Sequence, residues 1–410
     1  MRGDLMRIGK FANINQVSKD TIRHYIDLGL IIPEKQGGQY DFDDRCQKSF
    51  EEILSLKEMG FTLHEIKTIF LFKSLGTLTH YQQDEYYKAL FISKYEGVLR
   101  EIDDLTAVGN KLKGKIEALS QDGNIKKHSI GVDISVLKLF KCVKCHGELS
   151  IQNGVINNNQ IIEGQLKCHC GAIYPVEKGI LTIASHDHGP YTQFDQNYIR
   201  AYINLTDYHY LDNVYKSIAW VRKKINSNDF QKKVILELGS GVGFFLRNIY
   251  HELPDDSIYI AVDHHVARHT FLKTMLESTG LQRRIIFICS DFLEIPIKDQ
   301  SVDILLDFSG TSNYSFDHSD FLLEATNQYI KENAYLIGSY ILFKNFSANS
   351  LILDNYRKNF TLHHVQERLK ALQYKTIDER ISGYLEHGGT YESYFVKGEK
   401  VYNYLFYGKR

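Results

Sequence analysis

The stretch Val234-Ile-Leu-Glu-Leu-Gly-Ser-Gly-Val-Gly243 leaves the chain few options. Val234 to Leu236 are apolar and β-favouring, the pattern of a buried strand. The strand runs into Glu237-Leu238-Gly239-Ser240-Gly241-Val242-Gly243, and an amphipathic helix is expected from Phe244 to about Tyr250. Strand, glycine turn and helix make a nucleotide-binding βα unit. Bare main chain at the glycines lets a ligand lie against N–H groups at the helix start. The spacing Glu-x-Gly-x-Gly-x-Gly differs from the dinucleotide pattern G-x-G-x-x-G. It also lacks the Lys and Ser/Thr of a phosphate-binding P-loop.

Further strands end in residues suited to a nucleoside. Ile258 to Val262 ends at Asp263, whose carboxylate can accept both ribose hydroxyls. Ile285 to Cys289 is followed by Ser290-Asp291-Phe292, an acceptor for an adenine amino group beside a ring to pack on it. Val302 to Leu306 ends at Asp307-Phe308. Glycines that only packed a helix on a strand would not need these residues in this order. Over about residues 190–410 the order resembles the class I S-adenosylmethionine-dependent methyltransferases. The resemblance implies a Rossmann-like sheet with helices on both faces. It implies that Glu237, Gly239, Gly241 and Gly243 line the methionine and ribose side, that Asp263 holds the ribose, and that Asp291 and Phe292 hold the adenine.

At 410 residues the chain has room for about two to four domains. Its net charge of −1 says nothing about nucleic acid, so any such case rests on local motifs. No apolar run reaches the roughly 18 residues of a membrane span. Met1-Arg-Gly-Asp-Leu-Met-Arg7 lacks an apolar signal core, and a cytoplasmic protein is expected.

The first eighty residues read as short helices. One starts near Met6 with Ile8, Phe11 and Ala12 apolar, and a second, capped by Ser18, carries Ile22, Tyr25 and Ile26 inward. A hairpin wing follows at Gly37 to Phe42, then helices at about 43–59 and 62–73. Arg7-Ile8-Gly9, Thr21-Ile-Arg23-His-Tyr25, Gly29-Leu30-Ile-Ile-Pro33 and Met59-Gly-Phe61-Thr-Leu-His-Glu-Ile66 resemble the MerR family of winged helix-turn-helix transcription regulators, over residues 6–72. The resemblance implies that Arg23 and Tyr25 contact phosphate, that Lys19 and Thr21 face bases or nearby phosphates, and that Lys35 and Tyr40 of the wing support the backbone contacts. Arg7, Lys10, Lys19 and Arg23 supply the local basic character, since residues 1–80 hold eleven Lys/Arg and eleven Asp/Glu. Two positions depart from the family: His24 stands where tyrosine is usual, and Asp41 where arginine is usual. Asp41 is expected to repel phosphate.

From about His80 to Ala118 the chain is proline-free and rich in helix formers. Ile102, Leu105, Leu112, Ile116 and Leu119 recur at three- and four-residue steps, with Leu90 and Val98 upstream, as a coiled-coil seam does. In the MerR family this helix pairs antiparallel in a homodimer; the alternative is a helix folded back on its own chain. A polar linker, Ser120 to His128, follows. Cys142-Val-Lys-Cys145 and Cys168-His-Cys170 then form two knuckles around a hairpin-like stretch. Thiolates on two turns can close a tetrahedral zinc site. The second knuckle is C-x-C, one residue short, so His146 or His169 is an alternative ligand. Cys168 to Ile183 resembles a small zinc-ribbon that accompanies methyltransferases of RNA and protein.

His186 to Lys224 is aromatic-rich, with rings that form core or line a substrate pocket. After Asp307, the candidates nearest a transferred methyl group are Asn313, Tyr314 and His318, which form no recognised catalytic motif. Ala334 to Leu342, Lys375 to Ile381 and Tyr402 to Tyr407 read as strands, the last at the sheet edge, and Leu362 to Leu372 as a helix. The expectation is a multidomain α/β chain: a winged helix-turn-helix at 1–75, a dimerisation helix at 76–120, a zinc-ribbon at 121–185 and a methyltransferase-like domain at 186–410. Its expected function is transcription regulation on operator DNA as a homodimer. The C-terminal domain binds S-adenosylmethionine as effector sensor or enzyme, and zinc is structural. The alternative is an active small-molecule methyltransferase with an autoregulatory DNA-binding domain. A nucleic-acid methyltransferase that uses the N-terminal domain for targeting is a third reading.

Overall fold

The computed structural model describes residues 6–120, 128–183, 194, 196–225 and 230–410. Most of the expected linker at 120–128, together with His186 and Tyr191, lies outside the described residues. The chain divides into two compact units, Met1–Gly123 and Asn124–Arg410.

The first unit is helical. Helices α1 (Ile8–Ile14) and α2 (Lys19–Asp27) are joined by a turn in which Gln16 has φ 54°. The Ser18 side chain caps α2 by accepting the Thr21 N–H at 3.0 Å. Strands β1 (Glu34–Gln36) and β2 (Gln39–Asp41) form the wing. Its two-residue turn puts Gly37 and Gly38 at φ 59° and 80°, the conformation a tight hairpin demands of both. Helix α3 (Asp44–Glu58) is capped by Asp43. Helix α4 (Leu63–Leu75) opens on a capping box, in which Thr62 accepts the Glu65 N–H and Glu65 accepts the Thr62 N–H. Phe11 is the centre of the core: it stacks on Phe42 of the wing segment at 4.4 Å and meets the edge of Phe50 at 5.8 Å.

Helix α5 (Glu85–Leu119) leaves this core after its first turns. Phe91 packs on Phe61 at 5.1 Å, and Lys94 pairs with Glu65 at 3.0 Å. At about 1.5 Å per residue α5 runs some 50 Å. None of its residues is buried, and Val98, Ile102, Leu105, Leu112, Ile116 and Leu119 all lie exposed at heptad spacing.

The second unit is one twelve-stranded sheet. Strands β3 (Val132–Asp133), β4 (Leu149–Asn157), β5 (Gln160–Cys168), β6 (Ile173–Glu177) and β7 (Ile180–Thr182) carry the cysteine segment. Helices α6 (Gln196–Leu205) and α7 (Tyr208–Lys224) follow. Then come β8 (Val234–Leu238), α8 (Leu246–Ile249), β9 (Ile258–Asp263), α9 (Val266–Glu277), β10 (Ile285–Cys289) and β11 (Val302–Phe308). Helices α10 (Gly310–Tyr314) and α11 (Leu322–Ala325), strand β12 (Ile330–Asn345), helix α12 (Leu362–Ala371) and strands β13 (Lys375–Ile381) and β14 (Lys400–Lys409) complete it.

The strand order is β13-β14-β12-β11-β8-β9-β10-β7-β6-β5-β3, with β4 on β5. The strands from β10 to β12 run parallel, and the order reverses at β8, where ligands of such sheets bind beyond the strand ends. Apolar clusters fill both faces of the sheet.

Three features depart from the sequence reading. The helix after the glycine loop starts at Leu246, two residues later than expected, and passes into a 3-10 turn at Tyr250–Glu252; Phe244 packs on Tyr202 (4.9 Å) and Phe245 stacks on Phe308 (5.6 Å). Strand β14 is not at the edge: it inserts antiparallel between β12 and β13. The cysteine-bearing strands do not stand apart, since β7 pairs parallel with β10 and continues the sheet. Of the aromatic stretch, Tyr210 and Trp220 are core, whereas Tyr208 and Tyr215 are exposed.

Replacing Thr62 by alanine removes one half of the capping box. The first unit is expected to lose about 1 kcal/mol, read as a lower melting temperature of its helical signal.

Candidate functional site

The loop after β8 is built on left-handed backbone. Gly239, Gly241 and Gly243 have φ of 73°, 54° and 75°. A Cβ at Gly243 would stand 2.2 Å from Leu272, so this glycine lets α9 close against the loop. The amides of Gly239 and Ser240 both donate to the Val262 carbonyl, at 2.9 and 3.0 Å, binding the loop to the end of β9.

Asp263 locks this arrangement. Its Oδ2 accepts the Gly241 N–H at 2.9 Å and its Oδ1 accepts the His265 N–H at 2.9 Å. Arg268 approaches Oδ2 to 3.6 Å. Burial alone would raise this carboxyl. The positive fields of Arg268, His269 and His264, with the His265 amide, outweigh burial and hold it below its ordinary value.

Two other strand-end acids behave differently. Burial pushes Glu237 from 4.5 up to about 7, against the pull of the Tyr259 hydroxyl and with the charge of Asp263 adding to the rise. Its Oε2 is buried without a hydrogen-bond partner. Asp307 rises to about 6, again through burial, while its Oδ1 accepts the Thr311 N–H at 2.8 Å. That bond holds the start of α10 behind Ser309, whose φ of 70° is left-handed.

A cleft of about 450 Å³ opens at the ends of these strands. Of the residues expected around a cofactor, Gly239, Gly241, Asp263, Asp291 and Phe292 line it. Glu237 and Gly243 do not. The Glu237 side chain is buried beneath the loop, and Gly243 faces Leu272. Asn313, Tyr314 and His318 also line the cleft, with Tyr314 and His318 stacked at 3.9 Å. Asp291 already spends one oxygen on the Leu293 N–H at 2.8 Å. Sequence reasoning missed His264, Arg268, Gly310 and Asp317 on the cleft wall. His264 directly follows the strand-end acid, a position adjacency alone could have flagged.

The four cysteines converge. Their Sγ atoms all lie within 4.8 Å of one another, with Cys142 and Cys170 at 3.6 Å and Cys145 and Cys168 at 3.3 Å. A tetrahedron with Zn–S bonds of about 2.3 Å has S···S edges of about 3.8 Å, so the group fits zinc. Burial would raise the Cys142 thiol, but the Tyr174 hydroxyl at 3.0 Å and the amides of Cys145 and Lys144 bring it down to about 6. The Gly147 amide favours the Cys145 thiolate, yet the thiols of Cys168 and Cys170 outweigh it and push it up to about 12. Four sulfurs this close suit a cation between them. The C-x-C knuckle closes through the Cys168 N–H on the Ala172 carbonyl at 2.9 Å, with Gly171 at φ 90°. His169 lies against Gly147, and the four sulfurs make a complete set without either histidine.

In the first unit, Arg7, Lys19, Arg23 and Lys35 are exposed and Thr21 and Tyr40 half-buried. Arg23 pairs with Asp20 at 2.6 Å, and Lys35 lies over the Tyr40 ring at 5.1 Å. Tyr25 is 3% exposed, and its ring packs near Phe50 on the inward face of α2. Asp41 turns its carboxylate inward to the Met6 N–H at 2.9 Å.

Residues 6–73 match the model of the MerR HTH family regulatory protein, and residues 229–403 that of a methyltransferase domain. The chain is 32% identical over 125 residues to the mercuric resistance operon regulatory protein of Bacillus cereus, covering 29% of this chain and 89% of that one. The chain belongs to the MerR family. A second relative is the multidrug-efflux transporter 2 regulator of Bacillus subtilis (strain 168), 28% identical over 116 residues, or 28% of this MerR-family chain. The chain spans 41% of that regulator's length. Among solved structures, a SAM dependent methyltransferase from Aquifex aeolicus aligns with a TM-score of 0.33 at 17% identity, over 53% of this chain and 99% of that one. By the family-model match at residues 229–403, the MerR-type unit is joined to a methyltransferase domain. Among the described residues, no helix is long and apolar enough to cross a membrane.

A carboxyl raised by folding adds stability below its unfolded value, and that contribution is lost as pH rises through about 7 for Glu237. Glu237→Gln stays neutral throughout. Its melting temperature is expected to match the parent near pH 4.5 and to exceed it at about pH 8. An equal difference at both values would remove Glu237 as a buried, raised acid.

Proposed function

We propose that this MerR-family protein is a transcription regulator that binds operator DNA as a homodimer and S-adenosylmethionine as its effector. The proposed organisation is a DNA-binding domain at 1–75, a dimerising helix at 76–120, a zinc-ribbon at 121–185 and a cofactor domain at 186–410. The cleft carries the reading: glycine main chain, a strand-end acid and an acid-aromatic pair converge on one cavity of nucleoside size. Gly239 and Gly241 lie against methionine and ribose. Asp263 keeps a second lone pair on each oxygen for the ribose hydroxyls while its present bonds hold the loop. Asp291 and Phe292 take the adenine. The exposed heptad stripe of α5 supports the dimer, since an apolar seam of that length is covered by a mate in most proteins. Lys19, Thr21, Arg23 and Arg7 face DNA from the helix-turn-helix, with Lys35 and Tyr40 from the wing. DNA binding places the protein in the cytoplasm.

S-adenosylmethionine supplies an electrophilic methyl group on a sulfonium. As effector, it shifts the regulator only so far as it binds one DNA-bound geometry better than the other. A second reading, an active small-molecule methyltransferase, is favoured by Asn313, Tyr314 and His318 lining the same cleft. Zinc on Cys142, Cys145, Cys168 and Cys170 is structural, since four thiolates leave no open position.

Calorimetric titration with S-adenosylmethionine tests the cleft. Asp263→Ala is expected to abolish binding, and unchanged affinity would sink the assignment. Arg23→Ala is expected to weaken binding to all DNA sequences and to lower the salt slope by about one. A variant whose affinity and slope stay put would remove Arg23 from the phosphate contacts.

A further inference from the structure

The loop that carries Asp291 and Phe292 is held at both ends by the cysteine segment. At its start, the Ile183 N–H donates to the Cys289 carbonyl at 2.9 Å, continuing the pairing of β7 with β10. At its end, the residues just before Cys142 form a second junction. Phe140 bridges Ile297, the Lys141 N–H donates to the Pro296 carbonyl at 2.9 Å, and the Lys298 N–H donates to the Leu139 carbonyl at 2.7 Å. Lys141, 5% exposed, reaches Asp299 at 2.6 Å. Between the junctions the loop is stiff: the Ser290 hydroxyl lies 2.8 Å from both the Asp291 and Glu294 carbonyls. Phe292 shares one apolar cluster with Cys142, Cys168 and Tyr174.

We infer that the four-cysteine ribbon is a working part of the cofactor site, and that metal held there keeps the adenine loop in its binding shape. The inference rests on the cofactor reading of the cleft. Cys142 sits one residue from the Lys141 junction, and Tyr174 joins the knuckle to β6: its hydroxyl accepts the Val143 N–H at 3.1 Å and meets the Cys142 sulfur at 3.0 Å. With zinc in place, the knuckle fixes residues 139–141, and these fix residues 296–299. Without it, the crowded thiols separate and the far end of the loop loses its anchor. Zinc occupancy and cofactor affinity are then linked, and linkage is reciprocal.

The test uses the full-length protein loaded with zinc and S-adenosylhomocysteine as probe. Stripping the zinc with a chelator is expected to raise the dissociation constant about tenfold, inside the roughly 5–150-fold range of coupling between sites. Conversely, saturating S-adenosylhomocysteine is expected to lower zinc transfer to a chelating dye by the same factor. The second measurement uses folded, loaded protein, so it stands even if stripped protein unfolds. Asp299→Asn frees Lys141 without touching a sulfur or the cleft. It is expected to keep its zinc and to show weaker coupling. Equal affinities with and without zinc, together with zinc transfer indifferent to S-adenosylhomocysteine, would overturn the inference, as would a protein that takes up no zinc. Coupling of parental size in Asp299→Asn would overturn the route through Lys141. A zinc-loaded protein that binds no S-adenosylhomocysteine would bring down the cofactor reading itself, and the inference with it.

Discussion

The second unit turns on one buried carboxylate. Asp263 ends β9, yet its oxygens hold the Gly241 amide of the loop after β8 and the His265 amide at the entry to α9. A charge so deep persists only where other charges and amides offset its lost hydration. Arg268, His264 and His269 supply that field, all from within six residues downstream of the acid. The β9–α9 junction is thereby self-contained. It brings both the stabilised acid and the Arg268 guanidinium beside it, and it takes the Gly241 N–H from the loop after β8.

What the sequence made legible was set by backbone need. Left-handed φ at Gly239, Gly241 and Gly243 and the acids at strand ends are local demands, and local demands leave local residues. The caps at Ser18 and Thr62 were readable for the same reason. Pairings between distant segments left no such trace. Nothing in Tyr402 to Tyr407 says that this strand lies between two others, because any apolar strand fits an edge or a centre equally well by pattern. The β7–β10 pairing was hidden too, since the cysteine spacing drew attention to a local knuckle. At α8, the start moved to Leu246, with Phe244 and Phe245 each held in a tertiary ring contact.

Asp41 has a structural part beside the charge it brings to the wing. In the fold it replaces a contact with solvent by a bond to the Met6 amide, and the Phe42 amide returns a bond to the Met6 carbonyl at 3.0 Å. The wing is thus stitched to the segment before α1. Its acid also serves the scaffold, while Arg7, Lys10, Lys19, Arg23 and Lys35 lie exposed. Tyr25 lies in the core, as its place on the apolar face of α2 implied.

The position of β14 bears on how the chain is made. This strand leaves the ribosome after every other strand of the sheet, yet it must enter between β12 and β13 and pair with both along most of its length. Until then β12 presents an open apolar flank, and β13 has no neighbour. The first unit, whose contacts lie close together in sequence, can fold far earlier. For an interval during synthesis, each nascent chain therefore carries a finished helical head and an unfinished sheet.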